Sequence, residues 1–225
     1  MARDSIPTVT FPGRPARRAA AIALEGSRPA ELLAALSEAE RFDRDAALIA
    51  VDGGLSTCRA ARKKPDLFVG DLDSTPAPPR GIPSNIFPVD KDFSDFSGAL
   101  VEASRLGAGV VVIAGLLGGR LDHEWANLLE LGAAASRFRG FLAPTARGLI
   151  AVTSTGARAG AASGRIVSVF ALGGSARVSL TGTRWTLRQR EITPGSLGLS
   201  NLSRGNVALT VHDGVAGLLF PRPGS

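Results

Sequence analysis

Cysteine and histidine are scarce in this 225-residue chain: Cys58 stands alone, and His123 and His212 are the only imidazoles. A single thiol excludes an intramolecular disulfide and a cysteine-based zinc site. Two histidines leave little for a histidine-rich centre, so any metal is expected to be a hard cation held by oxygen ligands, magnesium above all. A reducing interior, the cytoplasm, is the expected setting. Long apolar runs are absent as well, so no bilayer span is expected and no membrane partner. Ala19–Leu24, preceded by Arg14, Arg17 and Arg18, is too short for a secretory core and lacks a following cleavage pattern. Lysine is rare, with 3 against 23 arginines, a compositional bias rather than a dedicated basic patch. Residues 140–225 hold nine arginines and two acids, yet these are scattered and barely interleaved with aromatics, so no nucleic-acid partner is expected.

What the chain does have is an ordinary globular composition, 44% hydrophobic and 20% charged, arranged in two styles. Up to about residue 140, short apolar runs of the kind buried in parallel sheets (Ala20–Leu24, Ala47–Val51, Leu67–Val69, Ile86–Val89, Val110–Ala114) alternate with helical stretches. The helices are expected at Ala30–Ala39, Leu55–Ala61, Phe96–Leu106 and Asp122–Ala135, the last with a core face at Leu121, Trp125 and Leu128. From Phe141 onward, period-two runs are separated by Gly-rich turns: Arg165–Phe170, Ala176–Leu180, Arg184–Leu187, Asn206–His212 and Ala216–Phe220. The fold class is therefore α/β. It comprises a flexible basic tail over 1–18, a parallel-sheet α/β domain over 19–140 and a small antiparallel β-sandwich over 141–225.

Ligands of an open parallel sheet bind beyond the carboxyl ends of its strands. Here those ends run into Asp52-Gly53-Gly54, Gly70-Asp71-Leu72-Asp73-Ser74, Asp90-Lys91-Asp92-Phe93-Ser94-Asp95 and Gly118-Gly119-Arg120-Leu121-Asp122-His123. Carboxylates crowded at one edge are costly without a cation among them, and magnesium commonly links carboxylates to substrate phosphates. Glycines allow backbone N–H groups close to phosphate oxygens, and Arg120 is suited to grip a phosphate bidentately. Each piece also has a plainer role: Asp92, Asp95 and Asp122 as helix caps, the glycine pairs as turns, and His123 with Asn127 as a polar helix face. Neither a Walker A lysine motif nor Gly-x-Gly-x-x-Gly is present.

The four acidic segments in this order, with Pro65–Ser74 and Lys91–Asp95 among them, resemble the ordered motifs of thiamine pyrophosphokinases. Thr181–Leu187 and Gly198-Leu199-Ser200-Asn201 extend the resemblance, which covers roughly residues 20 to 220, with Ser94 where the family often has Thr. It implies a homodimer with active sites at the subunit junction, and transfer of the terminal pyrophosphoryl unit of ATP to thiamine with release of AMP. It also implies roles. Asp71 and Asp73 would be metal ligands, with Asp92 helping directly or through water. Asp95 or Asp122 would orient the thiamine hydroxyl or accept its proton. Arg120 would hold the ATP phosphates near Asp52, Gly53, Gly54, Gly118, Gly119 and His123. Trp185 would stack on a thiamine ring, unless it is a core tryptophan, and Ser200 and Asn201 would bond the aminopyrimidine. The rival readings are a hydroxymethylpterin pyrophosphokinase, a nucleotide-sugar glycosyltransferase using Asp71-Leu72-Asp73, and a non-catalytic nucleotide-binding module.

Overall fold

The computed structural model describes residues 7–13, 18–73 and 77–223. The chain divides into two compact units. One holds Pro15–Glu130 with Ala143–Thr145; the other holds the N-terminal segment through Arg14, Leu131–Leu142 and Ala146–Ser225.

The N-terminal strand β1 (Thr8–Thr10) belongs to the second unit. A flexible tail was expected over 1–18, and residues 1–6 and 14–17 of it lie outside the described residues. Thr8–Thr10, by contrast, is paired, and Val9 is fully buried.

In the α/β unit the order along the chain is β2 (Ala19–Ala23), α1 (Pro29–Phe42), β3 (Ala47–Val51), α2 (Gly54–Ala60), β4 (Leu67–Gly70), β5 (Ser84–Ile86), α3 (Asp95–Arg105), β6 (Val110–Ala114) and α4 (Leu121–Ala134). The strands form a wholly parallel sheet in the order β6-β2-β3-β4-β5. All five residues of β2 and all five of β6 are buried, which accounts for their unbroken apolar sequences Ala-Ala-Ala-Ile-Ala and Val-Val-Val-Ile-Ala. Phe68 in β4 is fully buried, and truncating it to alanine would cost about 3–5 kcal/mol.

Local chemistry sets the helix boundaries. Pro29 opens α1, where its missing N–H costs nothing, and the carboxylate of Glu31 accepts from the Arg28 N–H at 3.4 Å. Ser94 caps α3 by accepting from Ser97 N–H at 3.0 Å. Two aspartates terminate strands: Asp43 accepts from Ala19 N–H at 3.2 Å and Asp66 from Leu48 N–H at 2.8 Å.

Three sequence expectations fail in this region or beside it. The fourth strand was expected at Ile86–Val89 but ends at Ile86, and Val89 is largely exposed. The core face expected on α4 is absent, for Leu121 is 80% and Trp125 67% exposed, and Leu128 only half-buried. The buried residues of α4 are Leu131, Gly132 and Ala134, in its last turns. Gly132 is small enough for the helix to lie against Leu172 within the second unit. Arg184–Leu187 is not a strand either, since strand structure resumes only at Leu187.

The second unit continues, after a short 3₁₀ turn at Ala135–Arg137, with β7 (Gly140–Thr145), β8 (Gly148–Thr153), β9 (Gly156–Gly160), β10 (Ile166–Ala171), β11 (Ala176–Thr183), β12 (Leu187–Ile192), β13 (Asn201–Asp213) and β14 (Ala216–Pro221). Its pairings are antiparallel and form two groups that share β13: β1-β9-β13-β11-β12, and β13-β10-β14-β8. The long β13 serves both groups, pairing with β10 at Asn201 and Leu202, with β9 over Val207–Thr210 and with β11 from Ser203 to Asp213. Alternate residues Val207, Leu209 and Val211 on β13 and Ala176, Val178 and Leu180 on β11 are buried, as the period of two requires. Among the described residues, no helix is long and apolar enough to cross a membrane.

Candidate active site

Because the sheet is parallel, the carboxyl ends of β2, β3, β4, β5 and β6 share one edge. A cavity of about 520 Å³ opens there, lined by Glu25 and Gly26 after β2, Asp52 after β3, Ser94 and Asp95 at the start of α3, and Gly115 after β6. Gly119, Arg120, His123, Glu124 and Asn127 complete its wall from the loop before α4 and from α4 itself.

Asp52 sits at the centre of the acidic cluster. Its backbone adopts φ +42°, a left-handed conformation unusual for a residue with a side chain, between a bond from its N–H to Val69 O and one from Leu55 N–H to its own carbonyl. That bend turns the chain from β3 into α2. The carboxylate lies over Gly70, where a Cβ would come within 1.8 Å of Oδ1, so only glycine can occupy position 70 without displacing it. Asp52 is 8% exposed, and its Oδ1, like that of Asp95, has no hydrogen-bond partner among the described residues. Burial first, and then the negative charge of Asp95, with Asp71 and Asp73 adding to it, push the Asp52 carboxyl up to about 7.

Oxygen atoms of Asp52, Asp71 and Asp73 lie within 4.8 Å of one another. The Asp71 Oδ1 accepts from Asp73 N–H at 3.1 Å, while Leu72 between them has φ +69°, so a tight turn aims both side chains from one short loop. Three carboxylates with an unpartnered buried oxygen make a donor set that fits a hard divalent cation. Asp92, expected as the third ligand, is exposed and stands outside this group; Asp52 is the carboxylate that joins Asp71 and Asp73. The hydrogen bond from Lys91, whose Nζ lies 2.6 Å from Asp71 Oδ2, holds the Asp71 carboxyl below its ordinary range against an opposing effect of burial. Burial pulls the Lys91 ammonium down, but Asp71 and Asp95 together keep it above its usual value.

Arg120, also in the cavity wall, is paired with Asp122 at 2.6 Å, both groups largely solvated. Their hydrogen bond raises the guanidinium and lowers the carboxyl from their ordinary values. Asp122 Oδ1 also accepts from His123 N–H at 3.0 Å, at the opening turn of α4. The N–H of Gly118 donates to the carboxylate of Glu124. The side chain of Asn127 reaches the Leu116 carbonyl at 3.5 Å, so the polar face of His123 and Asn127 borders the cavity.

The glycine pairs differ in what they do. A Cβ on Gly54 would lie 2.0 Å from Ala23 O and one on Gly53 2.8 Å from Glu25 Cγ, so both allow α2 to start hard against the end of β2. Gly118 (φ +111°) and Gly119 have open space beside them, and only Gly119 of these four glycines lines the cavity. Glu25, Gly26 and Glu124 were not anticipated. Glu25-Gly26 directly follows the first buried strand, the same signal that singled out the other acidic strand ends.

In the β unit, Trp185 is 54% exposed, which excludes a core tryptophan, and the Arg184 guanidinium stands 4.9 Å from its ring centroid. Asn201 is buried, and its amide is engaged by the protein: Oδ1 accepts from Trp185 N–H at 3.1 Å and Leu202 N–H at 2.9 Å, and Nδ2 donates to Trp185 O at 2.6 Å. Thr183 Oγ1 donates to the same carbonyl at 3.0 Å. Asn201 thus fixes the Trp185 backbone. Ser200, exposed at φ +55°, anchors its N–H on Ser168 Oγ at 3.1 Å.

A parallel α/β unit with clustered carboxylates and an arginine around one cavity, joined in sequence to an antiparallel β unit, has the groups that phosphate-group transfer needs. Residues 39–139 match the family model described as "Thiamin pyrophosphokinase, catalytic domain", and residues 156–216 match "Thiamin pyrophosphokinase, vitamin B1 binding domain". The two matches together span well over half of the sequence, and the chain belongs to the thiamin pyrophosphokinase family. Among solved structures it resembles thiamine pyrophosphokinase from Bacillus subtilis, at 21% identity and a TM-score of 0.72, covering 92% of this chain and 100% of that one. The Geobacillus thermodenitrificans enzyme is similar at 22% identity and 0.72, covering 92% and 99%. A family protein from Enterococcus faecalis follows at 17% and 0.63, covering 91% and 98%. At these identities the likeness establishes the fold. No curated protein matches the chain.

Proposed function

We infer that the chain is a thiamine diphosphokinase, converting ATP and thiamine to AMP and thiamine diphosphate. The observation that carries this is the match, in order, of both the catalytic and the vitamin-binding family models, the first overlying the acidic strand ends. The hydroxyethyl oxygen of thiamine attacks the β-phosphorus of ATP; the bond from that phosphorus to the α-bridging oxygen breaks, and AMP leaves with the oxygen. Asp52, Asp71 and Asp73 would hold magnesium, whose charge offsets that of the phosphates and of the departing oxygen. Asp92, which is exposed, would help through water. Arg120 exchanges Asp122 for the phosphates of ATP, which is readily done because the pair is solvated. Asp95, with a buried and unpartnered Oδ1, is better placed than Asp122 to orient the thiamine hydroxyl and take its proton. In the β unit, exposed Trp185 offers a ring face to thiamine, with Ser200 and Asn201 shaping its loop, and the strand groups flanking β13 are read as the two layers of a sandwich.

The protein is also read as a cytoplasmic homodimer. Leu121, Trp125 and Leu129 are exposed at helical spacing along α4, an apolar stripe that a second copy would cover. Incubation of the purified protein with ATP, magnesium and thiamine tests the activity. AMP and thiamine diphosphate appearing in equal amounts is the expected result; ADP as product, or turnover indifferent to thiamine, would overturn it.

A further inference from the structure

The acidic cluster has a cation built into it. Lys91 lies in the loop between β5 and α3, and its Nζ is 2.6 Å from Asp71 Oδ2 and 3.3 Å from Asp95 Oδ2. Its side chain is 9% exposed, as is that of Asp71, and that of Asp95 is 17% exposed. An ammonium so withdrawn from water is tolerated only where carboxylates compensate it. Here the compensation runs in both directions, because Asp71 and Asp95, which face the ammonium, converge with Asp52 and Asp73 in one acidic group. Lys91 also ties a strand end to a helix start, since Asp71 follows β4 and Asp95 opens α3.

We propose that Lys91 is a positioning residue that acts as an internal counter-ion for the divalent-cation site, holding Asp71 and Asp95 in place when no cation is bound and weakening the cation's attraction when one arrives. The first effect follows from geometry, for removing the ammonium takes away the charge that Asp71 and Asp95 both face. The second follows from Coulomb's law, for a fixed positive charge a few ångströms from the ligands repels a divalent ion. A lysine suits this role better than an arginine, as a compact charge on a flexible stem that shares no planar fork with the carboxylates. The site is then preassembled without holding its cation so tightly that product release is hindered.

The inference rests on the reading of Asp52, Asp71 and Asp73 as cation ligands, and the two are tested separately by manganese titration of the substrate-free protein. The wild-type chain binds Mn²⁺ if that reading is right, and an absence of binding sinks both. Lys91→Met, close in shape but uncharged, should bind Mn²⁺ about tenfold more tightly while unfolding at a lower temperature in the absence of metal. Saturating Mn²⁺ should close most of that thermal gap. Lys91→Arg, which restores charge, should return affinity and stability toward wild type. A lysine that merely braced the loop would lose affinity on substitution, so unchanged or weaker Mn²⁺ binding by Lys91→Met overturns the proposal. Should Lys91→Met not fold without metal, Lys91→Gln provides the same comparison. Recovery of either variant's fold on adding Mn²⁺ supports the role, and failure of both to fold even with Mn²⁺ overturns it.

Discussion

The carboxylate of Asp52 lies directly against the backbone of Gly70, at a distance that leaves no room for a Cβ: one built there would be 1.8 Å from Oδ1. Gly70→Ala should therefore evict Asp52 from the cluster while leaving the strand intact, because the backbone at residue 70 is ordinary extended chain. The expected outcome is a loss of kcat of at least about 100-fold, the scale of removing one group that stabilises transition-state charge. Circular dichroism should be unchanged. Near-normal turnover in a folded Gly70→Ala protein would remove Asp52 from the catalytic machinery.

The position of Asp52 predicts a pH dependence of stability in metal-free protein. Its folded-state value is raised to about 7 from an unfolded value of 3.8, so the native state holds a proton that the unfolded state has released between those limits. Its contribution to stability is complete below the lower value and is lost as pH rises through 7. Asp71 runs the other way, its folded-state value being lowered, and its contribution disappears only in acid, below the range where Asp52 acts. Calorimetry without divalent ions should show Tm falling from pH 5 to pH 8, and Asp52→Asn should flatten that slope. Added magnesium, which favours the ionised carboxylate, should flatten it as well.

Cys58 offers a plain check on packing. It is fully buried in α2, and burial pushes its thiol up to about 11. A thiol-reactive dye should fail to modify the native protein at pH 8 and label it fully in denaturant. Fast labelling under native conditions would contradict the packing of α2 against the sheet.

Much of the α/β unit is legible in the sequence because its central strands are buried on both faces, and a run such as Val110–Ala114 tolerates few other readings. The acidic strand ends were equally legible, since topology alone collects them at one edge. α4 misled because helical spacing reports periodicity without saying what a face meets: Leu121 and Trp125 repeat correctly yet stand in solvent. β9 was missed for a different reason. β9 reads Gly-Ala-Arg-Ala-Gly, with little intrinsic strand preference, and exists because β1 and β13 pair with it on both edges. The substitution of Asp52 for Asp92 in the carboxylate group depended on a left-handed bend that no spacing rule anticipates.

Arg120 is expected to separate binding from folding. It is 73% exposed and its partner Asp122 64% exposed, so their pair adds little to stability. Arg120→Ala should leave Tm within about a degree of wild type, as a solvated surface change does. If the guanidinium holds ATP, KM for ATP should rise at least about tenfold, the cost of one charge-assisted hydrogen bond. A thermal shift of several degrees with an unchanged KM would assign Arg120 a structural role instead.

The bonds between Asn201 and Trp185 yield a prediction that separates a ligand contact from a scaffold. Trp185→Ala removes the exposed ring but leaves the backbone atoms that Asn201 engages, so KM for thiamine should rise while KM for ATP and Tm stay near wild type. Asn201→Ala removes the acceptor for Trp185 N–H and Leu202 N–H, and leaves Trp185 O to Thr183 alone; a buried group left unpaired costs about 1–3 kcal/mol. That variant should lose both stability and thiamine affinity, through displacement of the tryptophan. In Trp185→Ala, the further change Asn201→Ala should then add nothing to the KM for thiamine while still lowering Tm. An additional rise in KM in the double variant would show that the Asn201 amide touches thiamine itself.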